Sequence, residues 1–235
     1  LGHLLPAREC GMNVRGDFGL NLFNSAAVNT ARELELLTAG NADEKRITAE
    51  VTPAHLTFCD EDYATLGTRI KCNPAIKSAD DRAALRRAVN KGKVDLIGTD
   101  HAPHLPEDKK GGALKAASGM PSIQFSLQSM LQLVNEGVFS IETLVEKMCH
   151  APATIFDIDK RGYITKGYHA DFVLLAPNQP HTIEKSDIIS LCGWSPFEGA
   201  TFNWKIAQTW VNGECVYKNG KINEEIRGKA LRFNR

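Results

Sequence analysis

The alternation of apolar and polar residues predicts helices and strands in turn over the first two thirds of the chain. From residue 25, leucines and alanines at helical spacing predict an amphipathic helix that ends near Gly40. Residues 47–51 alternate and are rich in β-branched side chains, so they predict a strand that Pro53 ends. Residues 60–66 carry acidic side chains in the first turn of a predicted short helix.

The next helix and strand have the clearest sequence signals. Residues 79–91 predict a helix because Ser78 and Asp81 match a capping box and Gly92 suits the left-handed backbone that ends a helix. The apolar run 94–98 lies between turn residues and predicts a strand that is buried on both faces. Strand, helix and strand therefore follow one another along the chain.

After a polar loop at about 105–118, the pattern predicts three helices and then a small antiparallel β module. Asn-Gly pairs at 212–213 and 219–220 are typical of tight hairpin turns. The predicted helices cover 121–137, 141–148 and 152–158, and the predicted strands cover 171–175, 206–211 and 214–217.

These elements predict an α/β chain in three parts. Residues 1–28 show neither the helical nor the strand spacing of apolar residues. Together with Leu1 in first place, this indicates an incomplete or altered N-terminus. Residues 29–162 hold the β/α units, and 163–235 hold the β module and a C-terminal tail. A closed eight-fold β/α barrel takes about 250 residues. The visible β/α units are therefore too few to close one.

Composition indicates which classes of binding partner are not expected for this protein. Lys plus Arg and Asp plus Glu each number 28, without a basic or acidic block, so neither nucleic acid nor an anionic membrane is an expected partner. No apolar run approaches the roughly 18 residues of a membrane span, which predicts a cytoplasmic protein. The six cysteines form no C-x-x-C pair, which argues against a disulfide framework and a thiolate zinc site.

The densest group of reactive side chains is the run from Gly98 to His104, GTDHAPH, directly after a predicted buried strand. Active sites of parallel α/β proteins form at that end of the strands. Asp100, His101 and His104 offer oxygen and nitrogen ligands, and a carboxylate there can also carry a proton. The alternative is that Asp100 caps a turn and the histidines bond loop carbonyls.

Three other features allow a functional and a structural interpretation. His55 follows the preceding strand and is either a metal ligand or a hydrogen-bonded core residue. Asn73 can present a donor and an acceptor to a cyclic amide, or it can form an ordinary turn before Pro74. The backbone near Ser118 and Gly119 can bind a carboxylate or cap the next helix.

Eight blocks in order resemble the C-terminal half of the dihydroorotases, a family of the amidohydrolase superfamily. The resemblance covers about residues 29–235. It implies the C-terminal portion of a (β/α)8 metal-dependent hydrolase barrel followed by a small β module, and the interconversion of N-carbamoyl-L-aspartate and L-dihydroorotate in pyrimidine synthesis. The blocks are EVTPAHLTFCDEDY, KCNPAIKSADDRAAL, DLIGTDHAPHLPEDK, AASGMPSIQ, HAPATIFDI, RGYITKGYHADFVLLAP, CGWSPFEG and WVNGECVYKNGK.

The resemblance also implies roles for individual residues. Asp100 resembles the aspartate that binds metal and moves the proton between hydroxide and the leaving nitrogen. Asn73 and His104 resemble the residues that hold the ring and carboxylate of the substrate, and the backbone at Ser118 and Gly119 resembles the loop that completes this pocket. A Zn²⁺ pair in the family polarises the amide carbonyl and supplies hydroxide near neutral pH.

The chain also departs from the family pattern. The resemblance implies an H-x-H pair, a bridging lysine or equivalent acid and a further histidine, all of which would precede Leu1. Ala27 stands where a ligand histidine is expected, and Ala54 replaces one of a pair with His55. Zinc needs three or four protein ligands, and Asp100 is one. We therefore expect this chain alone to lack a complete zinc pair and to be inactive without further segments.

Three functional hypotheses follow from the resemblance. The first is a truncated dihydroorotase acting on a small-molecule substrate, with a homo-oligomer possible. The second is a non-catalytic scaffold or partner subunit, for example for aspartate transcarbamoylase. The third is a hydantoinase-like or allantoinase-like cyclic amidohydrolase. Asn73 and His104 favour the first hypothesis over the third.

Overall fold

The protein is described by a computed structural model over residues 38–45 and 47–234. Ala27 and most of the helix predicted from residue 25 lie outside the described residues. The three predicted helical residues that are described, 38–40, are not helical, and residues 39 and 40 form a bend. Within the described residues, no helix is long and apolar enough to cross a membrane.

Two short parallel strands form the centre of the first part. Strand β1 (Glu50–Val51) pairs with β2 (Leu96–Ile97), with Glu50 opposite Leu96 and Val51 opposite Ile97. Both strands lie inside the predicted ones but are shorter. The backbone N–H groups of Asp95 and Leu96 also donate to the carbonyl of Ala49, which extends the contact by one residue.

Two helices of this part, α1 and α3, start where a side chain satisfies one of their first N–H groups. Thr52 accepts from the His55 N–H at the start of α1, and Ser78 accepts from the Asp81 N–H at the start of α3. The Ser78 hydroxyl also donates to the Asp81 carboxylate over 2.7 Å. The elements are α1 (Pro53–Thr57), a 3-10 turn (Asp60–Asp62), α2 (Tyr63–Leu66), a 3-10 turn (Gly67–Ile70) and α3 (Ala79–Asn90).

The helix predicted to open at Pro121 begins later. Helix α4 (Gly112–Lys115) lies in the predicted polar loop, and a 3-10 turn (Ile123–Phe125) precedes α5 (Ser126–Asn135). The prediction was wrong at this end because the N–H groups of Ser122 and Ile123 bond the His101 ring instead of belonging to a first helical turn.

The two helices predicted after residue 140 form one continuous helical run. It consists of α6 (Ile141–Val145), a π-helical turn (Glu146–His150) and α7 (Ala151–Ile155). Pro152 lacks an N–H group, so it cannot donate to the preceding turn of an α-helix. A wider turn directly before the proline is consistent with this missing donor.

The last part contains an antiparallel sheet in the order β3-β6-β7-β8 and a separate pair β4-β5. Asn212, Gly213, Asn219 and Gly220 all have φ between +47° and +87°, so the predicted Asn-Gly turns are confirmed. The strands are β3 (Phe172–Ala176), β4 (His181–Thr182), β5 (Thr201–Phe202), β6 (Lys205–Val211), β7 (Glu214–Lys218) and β8 (Lys221–Ile222).

Two large apolar clusters hold these elements together. The first joins β1 and β2 to α3, α5 and α6 through Val51, Leu56, Leu85, Val89, Val94, Ile97, Met130, Leu131 and Leu144. The second lies under the loops that follow β1 and β2 and joins them to β4 and β5 through Phe58, Ile70, Cys72, Ile76, Met120, Phe125, Ile183, Trp194, Phe197 and Phe202. The second cluster therefore links the last part of the chain to the candidate site.

A buried ion pair lies at the opposite end of β2. The Asp95 side chain is fully buried, and its carboxylate accepts from Lys45 Nζ over 2.6 Å and from the Ala49 N–H over 2.8 Å. Lys45 Nζ also donates to the carbonyl of Gly92. Buried Lys147 lies nearby; burial lowers its pKa, and the charge of Asp95 partly offsets that effect.

We expect Asp95→Asn to lower the free energy of unfolding by about 3 to 5 kcal/mol, because it leaves the buried Lys45 ammonium without a counter-charge. Urea denaturation measures this change. Lys110→Met is the control, since Lys110 pairs with Glu107 on the exposed surface and such pairs contribute at most about 1 kcal/mol. Equal losses in the two variants would contradict this role of Asp95.

Candidate active site

The candidate site lies beyond the carboxyl ends of β1 and β2. Because the two strands are parallel, the loops that follow them leave the same edge of the sheet. The first loop leads into α1, which carries His55, and the second carries Asp100. Gly98 leaves room for the Glu50 carboxylate, which a Cβ at position 98 would meet at 2.5 Å.

Asp100 is exposed and has left-handed backbone with φ of 45°, which Asp tolerates better than most residues. Burial lowers the pKa of the His55 ring and raises the pKa of the Cys72 thiol; the negative charge of Asp100 partly opposes the first shift and adds to the second. The structure therefore brings the carboxylate close to the loops that follow β1.

His55 is a buried, neutral link between α1 and the Asn73 loop (residues 71–77). Its Nε2 lies 2.9 Å from the Pro74 carbonyl, which only accepts, so Nε2 carries the hydrogen and Nδ1 accepts from the Thr52 hydroxyl over 2.7 Å. Burial lowers the pKa of His55, and the Pro74 bond and Asp100 partly oppose this effect. Both ring nitrogens are engaged, which favours the core interpretation over the ligand interpretation.

Asn73 is exposed on this loop and is joined to Pro74 by a cis peptide bond. The residue before it, Cys72, is buried and donates from its thiol to the Pro74 carbonyl over 3.2 Å. Burial, followed by the charge of Asp100, raises the pKa of Cys72 to about 11. The thiol is therefore protonated near neutral pH, and it anchors the loop below Asn73.

Three of the predicted substrate-binding residues lie in one contact group. His104 Nε2 donates to the Ser118 carbonyl over 2.9 Å. The Gly119 N–H donates to the Lys71 carbonyl over 2.9 Å, two residues before Asn73. The Asn73 loop, the Asp100 loop (residues 98–104) and the Gly119 loop (residues 116–121) are therefore joined.

His101 has a structural role in this group. Its Nδ1 accepts from the N–H groups of Ser122 and Ile123 over 3.1 and 3.2 Å, and the Ser122 hydroxyl donates to the Thr99 carbonyl. The ring thus caps the turn before α5. This geometry favours the loop-bonding interpretation for His101.

Sequence patterns did not single out Trp194, which closes one side of the group. Its indole Nε1 donates to the His104 carbonyl over 2.8 Å, and the Arg69 guanidinium lies 5.9 Å from its ring centroid. Arg69 also bonds the Ser195 carbonyl and the Glu198 carboxylate. Trp194 lies in the block CGWSPFEG that resembles the family, but the residue types of this block do not indicate that the tryptophan lies near His104.

The described residues do not fit a complete two-metal centre. Among residues 38–45 and 47–234, no three His, Cys, Asp or Glu side chains are arranged to hold a metal ion. His55 and Cys72, the neighbours of Asp100, use their donor atoms within the protein. Asp100 is left as the predicted ligand in this part of the chain.

We expect the free energy of unfolding to fall as the pH drops below about 6.5, the ordinary pKa of His. The folded-state pKa of His55 is lowered, so in that range the unfolded chain binds more protons. His55→Gln should remove this part of the slope, and His150→Gln, on a surface pair with Glu146, should not. Urea denaturation at about pH 7.5 and about pH 5.5 tests this; an unchanged slope in His55→Gln would contradict it.

Gly119→Ala should disrupt the site, because Gly119 has φ of 122° and its new Cβ would lie 2.4 Å from the Ala102 Cβ and 3.3 Å from His104 Nε2. We expect a loss of about 1 to 3 kcal/mol from the backbone alone. Gly112→Ala is the control, since Gly112 also has positive φ but no neighbour within 4 Å. Thermal unfolding compares them; an equal loss would exclude the predicted overlap.

Comparison with solved structures supports this architecture. The L-hydantoinase (dihydropyrimidinase) from Arthrobacter aurescens superposes with a TM-score of 0.83 at 28% identity, covering 94% of this chain and 48% of that protein. The D-hydantoinase from Thermus sp. superposes with a TM-score of 0.82 at 20% identity, covering 97% and 50%, and so shows the fold alone.

Sequence comparison identifies related dihydroorotases. The Pyrococcus furiosus enzyme is 33% identical over 204 residues, which are 87% of this chain and 47% of that protein. The Clostridioides difficile enzyme is 36% identical over 172 residues, 73% of this chain and 40% of that protein. The chain thus spans about half the length of these relatives. Residues 25–216 match the amidohydrolase family, so the chain has the α/β amidohydrolase fold and belongs to that family.

Proposed function

We propose that this chain is the C-terminal portion of a dihydroorotase, which reversibly hydrolyses the cyclic amide of L-dihydroorotate to N-carbamoyl-L-aspartate. The observation that carries the proposal is the joining of three loops beyond β1 and β2, which groups His104, Ser118 and Gly119 with the base of the Asn73 loop. Identity of 33% to the Pyrococcus furiosus dihydroorotase supports the same substrate.

In this proposal, residues 29–162 supply the last β/α units of a barrel and 163–235 form the small β module. Residues 1–28, predicted from the sequence to be an altered or irregular segment, lie outside the described residues. Conversion of the substrate would then depend on elements that the described residues do not contain. The proposed Zn²⁺ pair would take Asp100 from this chain, with the other ligands supplied elsewhere, because the described residues do not complete it.

In this proposal, Asn73 binds the ring of the substrate and Asp100 transfers the proton. The exposed Asn73 amide presents one donor and one acceptor to the edge of the ring amide. The Asp100 carboxylate, on the loop that follows β2, takes a proton from the water that adds to the amide carbonyl carbon and carries it to the ring nitrogen that leaves when the amide bond breaks. Its exposure keeps it available to a substrate above the sheet edge.

The substrate carboxylate is proposed to bind between His104 and the backbone at Ser118 and Gly119. His104 Nε2 already donates to the Ser118 carbonyl, so a bond to the carboxylate must come from Nδ1. Nδ1 carries a hydrogen only when the ring is the imidazolium. A charged His104 would therefore hold the loop and the substrate at the same time.

A hydantoinase-like activity is the second candidate. It is favoured by the TM-score of 0.83 to the Arthrobacter aurescens L-hydantoinase. The two substrates differ in ring size, six-membered in L-dihydroorotate and five-membered in hydantoin, and in the carboxylate that unsubstituted hydantoin lacks. Binding at His104 therefore discriminates between them.

We expect the 235-residue chain to bind N-carbamoyl-L-aspartate and L-dihydroorotate more tightly than hydantoin. His104→Ala should weaken the binding of the two acids about 10-fold to 100-fold, as expected for a charged hydrogen bond, and Asn73→Ala up to about 10-fold. Titration calorimetry near pH 6 measures these affinities.

His169→Ala is the matched control, because His169 is exposed and lies in the segment before β3. It should bind like the unmodified chain. Preferred binding of hydantoin would support the second candidate. No binding of any of the three compounds would contradict both and favour the scaffold hypothesis.

A further inference from the structure

Lys109 is a buried lysine whose ammonium is bonded by three backbone carbonyls. Its side chain lies beside the candidate site, and the residue is only 5% exposed. Nζ donates to the carbonyls of Lys71 over 3.0 Å, Ala117 over 2.8 Å and Gly119 over 2.6 Å. All three donors of one ammonium are therefore matched by acceptors.

The three carbonyls belong to the two loops that carry proposed substrate-binding groups. Lys71 lies two residues before Asn73, and Ala117 and Gly119 flank Ser118. The same two loops are also joined by the bond from the Gly119 N–H to the Lys71 carbonyl. The Lys109 ammonium thus bridges the loop that carries Asn73 and the backbone that flanks Ser118.

An aromatic ring connects Lys109 to the third loop. Lys109 Nζ lies 5.9 Å from the centroid of the Trp194 ring, within the range of a cation–π contact. The Trp194 indole N–H donates to the carbonyl of His104. The ammonium therefore contacts the Asn73 loop and the Gly119 loop directly and the Asp100 loop through Trp194.

The electrostatic setting shows that this arrangement is costly. Burial lowers the pKa of Lys109 to about 8; the Cys72 thiol opposes that shift and the positive charge of Lys71 adds to it. Arg69 lies over the same Trp194 ring, whose indole N–H donates to the backbone carbonyl of His104. A buried charge whose pKa is lowered in this way adds little to the free energy of unfolding. An apolar side chain of similar size would be buried here at a lower cost.

We propose that Lys109 is a positioning residue, whose ammonium holds the Asn73 and Gly119 loops at the spacing required to bind a carboxylate-bearing cyclic amide. The ligand class rests on the proposed function, whereas the positioning of the loops does not. Lys109 itself is bonded to the backbone and acts on the substrate through Asn73, Ser118 and Gly119.

The test compares Lys109→Met, Lys109→Arg and the control Lys110→Met in the 235-residue chain. Lys110 is the neighbouring lysine and pairs with Glu107 at the surface. Amide hydrogen exchange by NMR reports on the Gly119 N–H, and the Gly213 N–H in the antiparallel part serves as an internal reference. The Trp194 indole signal reports on the contact with His104.

We expect Lys109→Met to raise the exchange rate of the Gly119 N–H at least 10-fold and to shift the Trp194 indole signal, without a change at Gly213. Lys109→Arg should restore part of the protection, because the guanidinium keeps the charge and N–H donors but presents them in a different, planar geometry. Lys110→Met should match the unmodified chain. Unchanged Gly119 exchange in Lys109→Met, or equal effects of Met and Arg, would overturn the proposal.

The same variants separate positioning from overall stability. If Lys109 only stabilised the fold, Lys109→Met would lower the free energy of unfolding and raise exchange at Gly119 and Gly213 together. We expect instead weaker binding of N-carbamoyl-L-aspartate by at least 10-fold with overall stability retained. If the unmodified chain binds none of this ligand but Gly119 exchange responds as expected, the proposed function fails and the positioning role stands.

A pH titration of the unmodified chain provides a test that needs no variant. The Trp194 indole signal should shift with a midpoint near the Lys109 pKa of about 8, well below the roughly 11 of Cys72. From there to the ordinary value of 10.5, the unfolded chain binds more protons at this residue, so its contribution to the free energy of unfolding rises with pH. A flat indole signal across this range would contradict the buried ammonium.

Discussion

The buried carboxylate of Asp95 is the constraint on which the geometry of the site depends. It accepts from the Ala49 N–H and from Lys45, and so joins the segment before β1 to the segment before β2. The two strands consequently end side by side, with Val51 opposite Ile97. His55 follows four residues after the first and Asp100 three residues after the second, so both lie at one edge of the sheet.

Most polar groups around this edge are used to shape the pocket rather than left free for chemistry. His55, His101 and Lys109 each make two or more hydrogen bonds within the protein, and burial lowers the pKa of His55. Asp100 and Asn73, in contrast, are exposed. An active site requires both kinds of residue, because reactive side chains keep the correct geometry only when the residues that hold them are rigid.

Several features could be predicted from local residue patterns. The Asn-Gly turns, the cap at Ser78 and the two parallel strands follow from short-range rules, and the structure contains them. The late start of α5 and the π-helical turn before Pro152 could not be predicted in this way. The first depends on His101 from another loop, and the second depends on how a missing donor is accommodated within a packed helix.

The sequence by itself determined the family, and it predicted the edge of a candidate site and Asp100, Asn73 and His104 as candidate residues, because these depend on residue order along single segments. Only the tertiary structure decided what each ring nitrogen and ammonium bonds. It assigned His55 to the core and His101 to a helix cap, and it placed Lys109 between two loops. The reason is physical: hydrogen-bond partners far apart in sequence are set by how the loops pack, which no local pattern encodes.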